Sequence, residues 1–456
     1  MPPDITKRNL MERIWPEDRY QRGATIFFAL IALTWGVTTF VNAALIYDGA
    51  FSLFRLLDRQ FFVADLDRMI NVPIQLPALS ATFVTNRLGV LSRIFSGAYC
   101  AVPCMGLGLS WLLCRRHPSL FVWPAFSICL AELPGRFFFT NEQVMLATLF
   151  WPALLTAIFG ASTLVLAMVS GITIFAAASQ PVAAPTLALI MIAAIATAII
   201  KPEVRTSSLW FGLFIGLLLL ERVTVPLYDW ETSSLTIATV YRSFYNAVYG
   251  WPLIATILTL AAGVTCLFRP VRYTRALLFA ELAGVGVALT IWAWSPATWW
   301  RLIDFRYWAT PIALALMSGA VIEELWLRRS EAQLQEIRAV ALPIVGAIFL
   351  IVLSMQSIEW QMMNHRLRDE LASSGAGCVP VKSFNWIRRT PLAHWGGAFS
   401  AVENQGRMPT TLMLPSMQAC ESFAADGDAK FVDRGTFNFE RGLQGRYFDF
   451  EEAYLN

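Results

Sequence analysis

The chain of 456 residues is 56% hydrophobic and only 15% charged, with a mean hydropathy of +0.54. Because soluble proteins carry about a quarter charged residues, this composition excludes an ordinary soluble protein. The net charge of +3 is spread over short clusters between apolar runs, which argues against a nucleic-acid partner. Repeated apolar runs of about 17 to 25 residues predict an all-α polytopic membrane protein, since this length crosses a bilayer.

The N-terminal segment, residues 1–22, is too long and too acidic to be a cleavable signal peptide, and we expect it to be cytoplasmic and to remain in the mature protein. The first apolar run, about residues 23–46, follows the basic residues Arg13, Arg19 and Arg22. By the positive-inside rule this run crosses the membrane outward. The residues that follow it are therefore predicted to be external.

A long external loop is predicted at residues 47–91. Its first part, residues 47–59, has apolar positions on one helical face, which predicts an amphipathic helix along the membrane surface. The loop also carries the carboxylates Asp48, Asp65 and Asp67. Long loops are usually functional or disordered, and the aromatic and aliphatic content here disfavours disorder. The loop is therefore a candidate functional region.

About 11 spans are predicted in a transmembrane domain that ends near residue 358. The apolar run 143–178 is twice one membrane thickness, so we expect a hairpin whose turn lies at Gly160, Ala161 and Ser162. With this count every strongly basic short loop falls on the cytoplasmic side, as the positive-inside rule requires. These loops include Arg115, Arg116, Lys201, Arg205, Arg328 and Arg329.

The last part of the chain, residues 359–456, has no run of membrane length and is predicted to be a small external α+β domain. It contains Cys378 and Cys420. In an oxidising compartment a disulfide between them would stabilise the fold by about 3 to 4 kcal/mol. The alternative is two unpaired thiols. The five other cysteines lie in or beside apolar runs and are interpreted as small hydrophobic residues.

Several polar features share the predicted external side: Asp48 after the first span, Glu142 before the fourth, and Arg306 with Tyr307 at the start of the tenth. Any one of them is explained by capping of a helix end. Because charges at membrane depth tend to line functional cavities, their shared side makes them a candidate site. Further arginines that could bind a phosphate, or merely anchor a helix end, are Arg87, Arg93, Arg136 and Arg242.

These features resemble the GT-C superfamily, membrane glycosyltransferases that take a sugar from a polyprenyl-phosphate carrier. The matching positions are Asp48 within Tyr47-Asp48-Gly49, Glu142 shortly before Phe150-Trp151-Pro152, and Arg306 within Phe305-Arg306-Tyr307-Trp308. The resemblance covers the architecture of residues 20–358 and leaves out the tail. It implies a bacterial inner-membrane enzyme with a cytoplasmic N-terminus and a periplasmic or external C-terminal domain.

The resemblance also implies roles for the candidate residues. Asp48 is expected to be the general base, Arg306 with Tyr307 to hold the donor phosphate, and Glu142 to position the acceptor or the sugar. The expected partners are a polyprenyl-phosphate-linked sugar, membrane lipids, and a glycan, lipid or protein acceptor.

The sequence departs from the family pattern in one respect. Many members carry an Asp-Asp or Asp-Glu doublet after the first span, and this chain does not. Asp65 and Asp67 therefore remain alternative acids. No metal ligands are assigned, and the use of a divalent cation stays open.

Two other functions fit a chain of this kind. A multi-pass transporter or lipid flippase would use the external loops as gates, but the sequence shows no internal repeat and few charges at mid-span. A non-catalytic scaffold would use the tail to bind an external partner. No HExxH, P-loop, GxSxG or Cys-x-x-Cys motif is present, which excludes several hydrolase classes.

Overall fold

The computed structural model describes residues 19–46, 48–62, 69–132, 142–178, 183–225, 306–327, 331–387, 390, 392, 397–426 and 447–448. The helices in these ranges are α1 (Arg19–Phe40), α2 (Asp48–Arg59), α3 (Asn71–Ala81), α4 (Leu88–Leu113), α5 (Val122–Glu132), α6 (Glu142–Phe159), α7 (Thr163–Ala177), α8 (Ala183–Ile200), α9 (Arg205–Thr224), α10 (Arg306–Ile322), α11 (Glu331–Ser373), α12 (Gly397–Gln405) and α13 (Met417–Asp426). The strands are β1 (Gly377–Pro380) and β2 (Thr411–Leu414).

Membrane-spanning character is evident in five of these helices, namely α1, α4, α8, α9 and α11, which are long and apolar enough to cross a bilayer. The hairpin expected in the long apolar run is present, because α6 ends at Phe159 and α7 begins at Thr163. Gly160 makes the turn with a φ of +68°, a conformation that glycine adopts without strain. The described chain is thus an all-α membrane bundle with one small strand pair. The predicted eighth and ninth spans lie outside the described residues.

The bundle is organised around α1, which runs beside α11 in the same direction and beside α4 in the opposite direction. Gly23 of α1 lies against the backbone of Ala339, where a side chain would collide with the carbonyl group. Such small residues let membrane helices approach closely. The ring of Tyr20 stacks on Trp111 near the end of α4, whereas Arg93 near its start lies over Phe40 at the end of α1.

One end of the bundle, the ion-pair end, is defined by charged contacts between His117, Lys201, Glu323, Glu324 and Arg338. Arg338 forms a bidentate pair with Glu323, at 2.7 Å for both N–O distances. Lys201 donates to Glu324 at 2.6 Å, and His117 lies 3.9 Å from the same carboxylate. In the described part of the chain, the predicted cytoplasmic loops at His117, at Lys201 and between α10 and α11 therefore meet at a common end of the bundle. Which membrane side this end faces stays a prediction.

At the opposite end, the tail packs on α2. Phe399 of α12 contacts Phe51 and Phe54, with ring centroids 5.3 and 5.1 Å apart, and Phe448 stacks on Phe54 at 5.0 Å. Residues on every side of α2 are buried, including Arg55. The helix predicted at the start of the external loop is therefore covered by protein from the C-terminal part of the chain.

The tail is also held by polar contacts. The hydroxyl of Tyr447 donates to the carbonyl of Asn86 at 2.9 Å, and Arg407 donates to the carbonyl of Tyr447. Burial raises the pKa of Tyr447, while the charge of Arg407 opposes the increase, so the phenol is a neutral donor. These contacts fix the tail against the loop before α4.

A small βαβ unit forms the tail's centre. Strands β1 and β2 are parallel, with Gly377 opposite Thr411, and α12 lies in the connection between them. Cys378 of β1 and Cys420 of α13 form a disulfide with Cα atoms 5.5 Å apart. This is the pair that the sequence singled out. The disulfide joins the strand pair to the last described helix.

Removal of this disulfide by Cys378→Ser with Cys420→Ser is expected to destabilise the tail by about 4 kcal/mol, because the bond closes a loop with a sequence separation of 42 residues. Thermal unfolding of the detergent-solubilised full chain, with and without a reductant, measures the effect. The reductant should lower the stability of the wild type and leave the variant unchanged. Equal stability of the oxidised wild type and the variant would contradict this expectation.

Candidate functional site

A cavity of about 320 Å³ lies at the end of the bundle opposite the ion pairs. It is lined by the end of α1 with the following turn, the start of α4, the last part of α11, and α12 of the tail. Each helix contributes positions three or four residues apart, which share one helical face. The cavity is therefore built jointly by the membrane bundle and the tail, and we call it the bundle–tail cavity.

The position of the cavity follows from the composition of α11. This helix has 43 residues, which at 1.5 Å per residue gives a length of about 65 Å, more than a bilayer requires. Its apolar part ends near Ile358, and the residues beyond it are mostly polar. Residues of α11 from Trp360 to Arg368 line the cavity. The cavity therefore lies where the membrane-length apolar stretch of this helix ends and its polar part begins.

The open edge of the cavity is basic. Arg93 of α4 and His365 and Arg368 of α11 line it and are exposed. Arg93 also lies over the ring of Phe40, 5.1 Å from its centroid. Within the described ranges, neither arginine has an ion-pair partner. The edge thus presents uncompensated positive charge suited to a phosphate group.

The inner wall of the cavity carries a carboxylate, Glu403 of α12. Both of its oxygens are buried, and neither has a hydrogen-bond partner in the described part of the chain. Burial raises the pKa of the Glu403 carboxyl well above its ordinary value of 4.5. A buried polar group without a partner is costly, so such a group points to a ligand that supplies the missing hydrogen bond.

Amide groups complete the inner wall. Asn404 donates to the side-chain oxygen of Asn364 at 2.7 Å and to the carbonyl of Ser400 at 2.8 Å, which fixes α12 against α11. Asn42 follows α1 in the left-handed conformation, with a φ of 54°. Its buried side-chain oxygen also has no partner among the described residues. The amide oxygen of Asn42 and both carboxylate oxygens of Glu403 are therefore available to hydroxyl donors of a ligand.

The backbone places three sequence-predicted residues toward this end of the bundle. Glu142 is the first residue of α6 and Arg306 is the first residue of α10. The last residue of α6, Phe159, and the residue after α10, Glu323, both lie at the ion-pair end, so the two helices begin at the opposite end. Asp48 is the first residue of α2, three positions after Leu45, which lines the cavity. The three share one end of the bundle. The structure does not describe the side chains of Asp48, Glu142, Arg306 and Tyr307.

Other predicted residues lie outside the described ranges altogether. They are Asp65, Asp67, Arg136 and Arg242. Of the further arginine candidates, Arg93 lines the cavity and Arg87 does not. In the described part of the chain, no group of three or more His, Cys, Asp or Glu side chains could hold a metal ion.

Sequence reasoning missed His365, Arg368 and Glu403. The first two lie on the face of α11 that lines the cavity, beyond the predicted end of the last span. His365 comes four residues after Gln361, and Arg368 comes eight residues after Trp360. Spacings of four and eight residues place side chains on one helical face, so the sequence contained a signal for these two residues. Glu403 had none, because its burial depends on contacts between α12, α2 and α11 that are distant in the sequence.

Comparison of the chain with models of protein families, with curated proteins and with solved structures finds no match.

Proposed function

We propose that the protein is a GT-C-like membrane glycosyltransferase that transfers a sugar from a polyprenyl-phosphate donor to an external glycan, lipid or protein acceptor. In this proposal it resides in a bacterial inner membrane, and the bundle–tail cavity opens on the periplasmic or external side. The reaction needs a cationic site for a lipid-borne phosphate and a carboxylate that can accept a proton.

The observation that carries the proposal is the pairing of a basic edge with a buried carboxylate in one cavity. Arg93 and Arg368 can neutralise the charge that develops on the departing phosphate, and the inner wall offers Glu403. Among the described residues, Glu403 forms no ion pair with Arg93 or Arg368, so the carboxylate and the two cations are separated in the cavity. A substrate that has a phosphate at one end and hydroxyl groups at the other matches this division.

The surroundings of the cavity favour a lipid-linked donor over a soluble one. Phe40 at its edge is 65% exposed, and Ile358 and Met362 on α11 are 57% and 68% exposed. Large apolar side chains exposed beside a basic edge suit an acyl or prenyl chain whose headgroup enters the cavity. A soluble nucleotide sugar would gain nothing from this apolar surface.

The proposal keeps roles for the residues predicted from the sequence. Asp48, Glu142 and Arg306 begin their helices toward the cavity end, so each is proposed to contribute to the same reaction centre. Carboxylates at helix N-termini are also stabilised by the helix dipole, so the positions of Asp48 and Glu142 have a structural explanation as well.

Arg93→Ala and Arg368→Ala are expected to lower sugar transfer by about 100-fold each, because each removes a cation that stabilises charge on the leaving phosphate. The assay uses the full chain in nanodiscs with a radiolabelled polyprenyl-phosphate hexose or pentose, and it measures label on the acceptor and released polyprenyl phosphate. Arg87→Ala is the matched control, an exposed arginine outside the cavity. Movement of the intact donor across the bilayer without cleavage would instead show a transporter.

A further inference from the structure

Glu403 differs from the other charged groups of the described tail by its burial and its lack of partners. Glu370 accepts a hydrogen bond from Trp386 at 2.6 Å and another from Arg366 at 3.0 Å, and Glu421 is exposed. Both oxygens of Glu403 are instead enclosed at the cavity wall. A carboxylate that only stabilised the fold would be paired or solvated. Its position therefore points to chemistry with a ligand.

The helix that carries Glu403 is firmly positioned. Phe399 packs between Phe51 and Phe54 of α2, and Ser400 lies 3.4 Å from the carbonyl of Leu45. Asn404 binds Asn364 of α11. The contacts of residues before and after Glu403 hold α12 in place. General-base catalysis requires such a fixed position of the base.

We propose that Glu403 is the general base of the transfer reaction, so that the tail supplies a catalytic residue to a site otherwise built by the membrane bundle. This inference rests on the proposed function. It assigns to Glu403 the role that the sequence predicted for Asp48.

The O–H bond of the acceptor hydroxyl breaks and its proton moves to a carboxylate oxygen of Glu403, while the acceptor oxygen bonds to the anomeric carbon of the donor sugar. The bond from the anomeric carbon to the phosphate oxygen breaks, and its electron pair stays on the phosphate. The negative charge there faces Arg93 and Arg368.

The base must be ionised, so transfer is expected to rise with pH through the pKa of Glu403, which burial raises. The acidic limb of kcat/KM should therefore lie above the ordinary carboxyl range. Among the described residues, the other charged or titratable side chains that line the cavity are Arg93, His365 and Arg368. The buried charged residues described on α2, the helix on which α12 packs, are Arg55 and Asp58. Retention of the acidic limb in His365→Gln would assign it to the carboxylate.

The test compares Glu403→Gln, Asp48→Asn and Glu421→Gln in the full chain in nanodiscs. Transfer from a radiolabelled polyprenyl-phosphate sugar and binding of unglycosylated polyprenyl phosphate are measured for each. Glu403→Gln is expected to lower kcat by about 100-fold or more, to bind polyprenyl phosphate like the wild type, and to lose the acidic limb. Glu421→Gln should match the wild type.

The outcomes separate the two proposals. A wild type that binds polyprenyl phosphate and transfers no sugar to any acceptor would overturn the proposed function. A wild type that transfers sugar, with Glu403→Gln equally active, would overturn the assignment of the base and leave the function standing. Loss of activity in Asp48→Asn with full activity in Glu403→Gln would return the role to Asp48.

Discussion

Glu403→Gln is expected to make the protein more stable at neutral pH, although it removes activity. The carboxyl group is buried without a partner among the described residues, so its charged form is costly in the folded state. Glutamine has nearly the same shape and no charge. Because burial raises the pKa of this carboxyl, keeping it ionised at neutral pH lowers the free energy of unfolding, and removal of the charge should raise it.

The pH dependence identifies the cause. Between the ordinary pKa of 4.5 and the raised pKa of the folded protein, the folded state holds more protons than the unfolded state. The free energy of unfolding therefore falls as pH rises through this window, and the full penalty is present above it. Below the ordinary pKa both states are protonated, so the advantage of Glu403→Gln should vanish there.

Thermal unfolding of wild type, Glu403→Gln and Glu421→Gln across pH 4 to 8, in one detergent, measures this effect. Glu421→Gln should follow the wild type, because Glu421 is exposed. A Glu403→Gln variant that is less stable than the wild type at pH 8 would show that the charged carboxylate has a partner in the folded protein. A gain in stability combined with loss of transfer is the pattern expected of a catalytic group.

Arg338→Met is expected to destabilise the bundle by about 3 to 5 kcal/mol, because it leaves Glu323 buried and without its cation. The side chains of both residues are only 4% exposed. Arg338 also donates to the carbonyl of Ser119 at 3.0 Å, and Trp123 donates to Glu323 at 2.9 Å. The pair thus ties α11 and the segment that directly follows α10 to the start of α5.

The double variant Glu323→Gln with Arg338→Met separates the cost of an unpaired charge from the loss of packing. Glutamine has no charge and still accepts the Trp123 hydrogen bond, so the double variant should be more stable than Arg338→Met alone. The pair of Lys201 and Glu324 is more exposed, at 19% and 11%, so it is the control and should lose less stability than the buried pair when broken. The single variant Glu323→Gln completes the comparison. If the stability loss of the double variant equals the sum of the losses of Glu323→Gln and Arg338→Met, the two side chains do not form a coupled buried pair.

Local signals predicted much of the bundle from the sequence. The turn at Gly160 and the helices on both sides followed from a run too long for one span and from small residues at its centre. The alternation of basic loops predicted that the loops of Arg115 and Lys201 share one end of the bundle, and Lys201 and the neighbouring His117 do approach the same carboxylate, Glu324. Span length and charge are properties of short segments, so the sequence can show them directly.

The cavity depends on contacts that no short segment contains. The sequence predicts a tail domain from residue 359, and that division stays a prediction. The structure adds that α11 continues unbroken to Ser373 and that α12 packs against α2. The apolar face of α2 predicted a membrane-surface helix equally well, since burial by protein and burial by lipid require the same pattern. Glu403 could be recognised only after the tail was placed.

The central claim, that the bundle–tail cavity holds the lipid-linked phosphate, is tested most directly by an electron cryo-microscopy structure of the full chain in nanodiscs with a polyprenyl-phosphate sugar. We expect the phosphate to lie within hydrogen-bond distance of Arg93 and Arg368, with a sugar or acceptor hydroxyl near Glu403. A donor bound elsewhere in the bundle, with this cavity free of it, would contradict the claim.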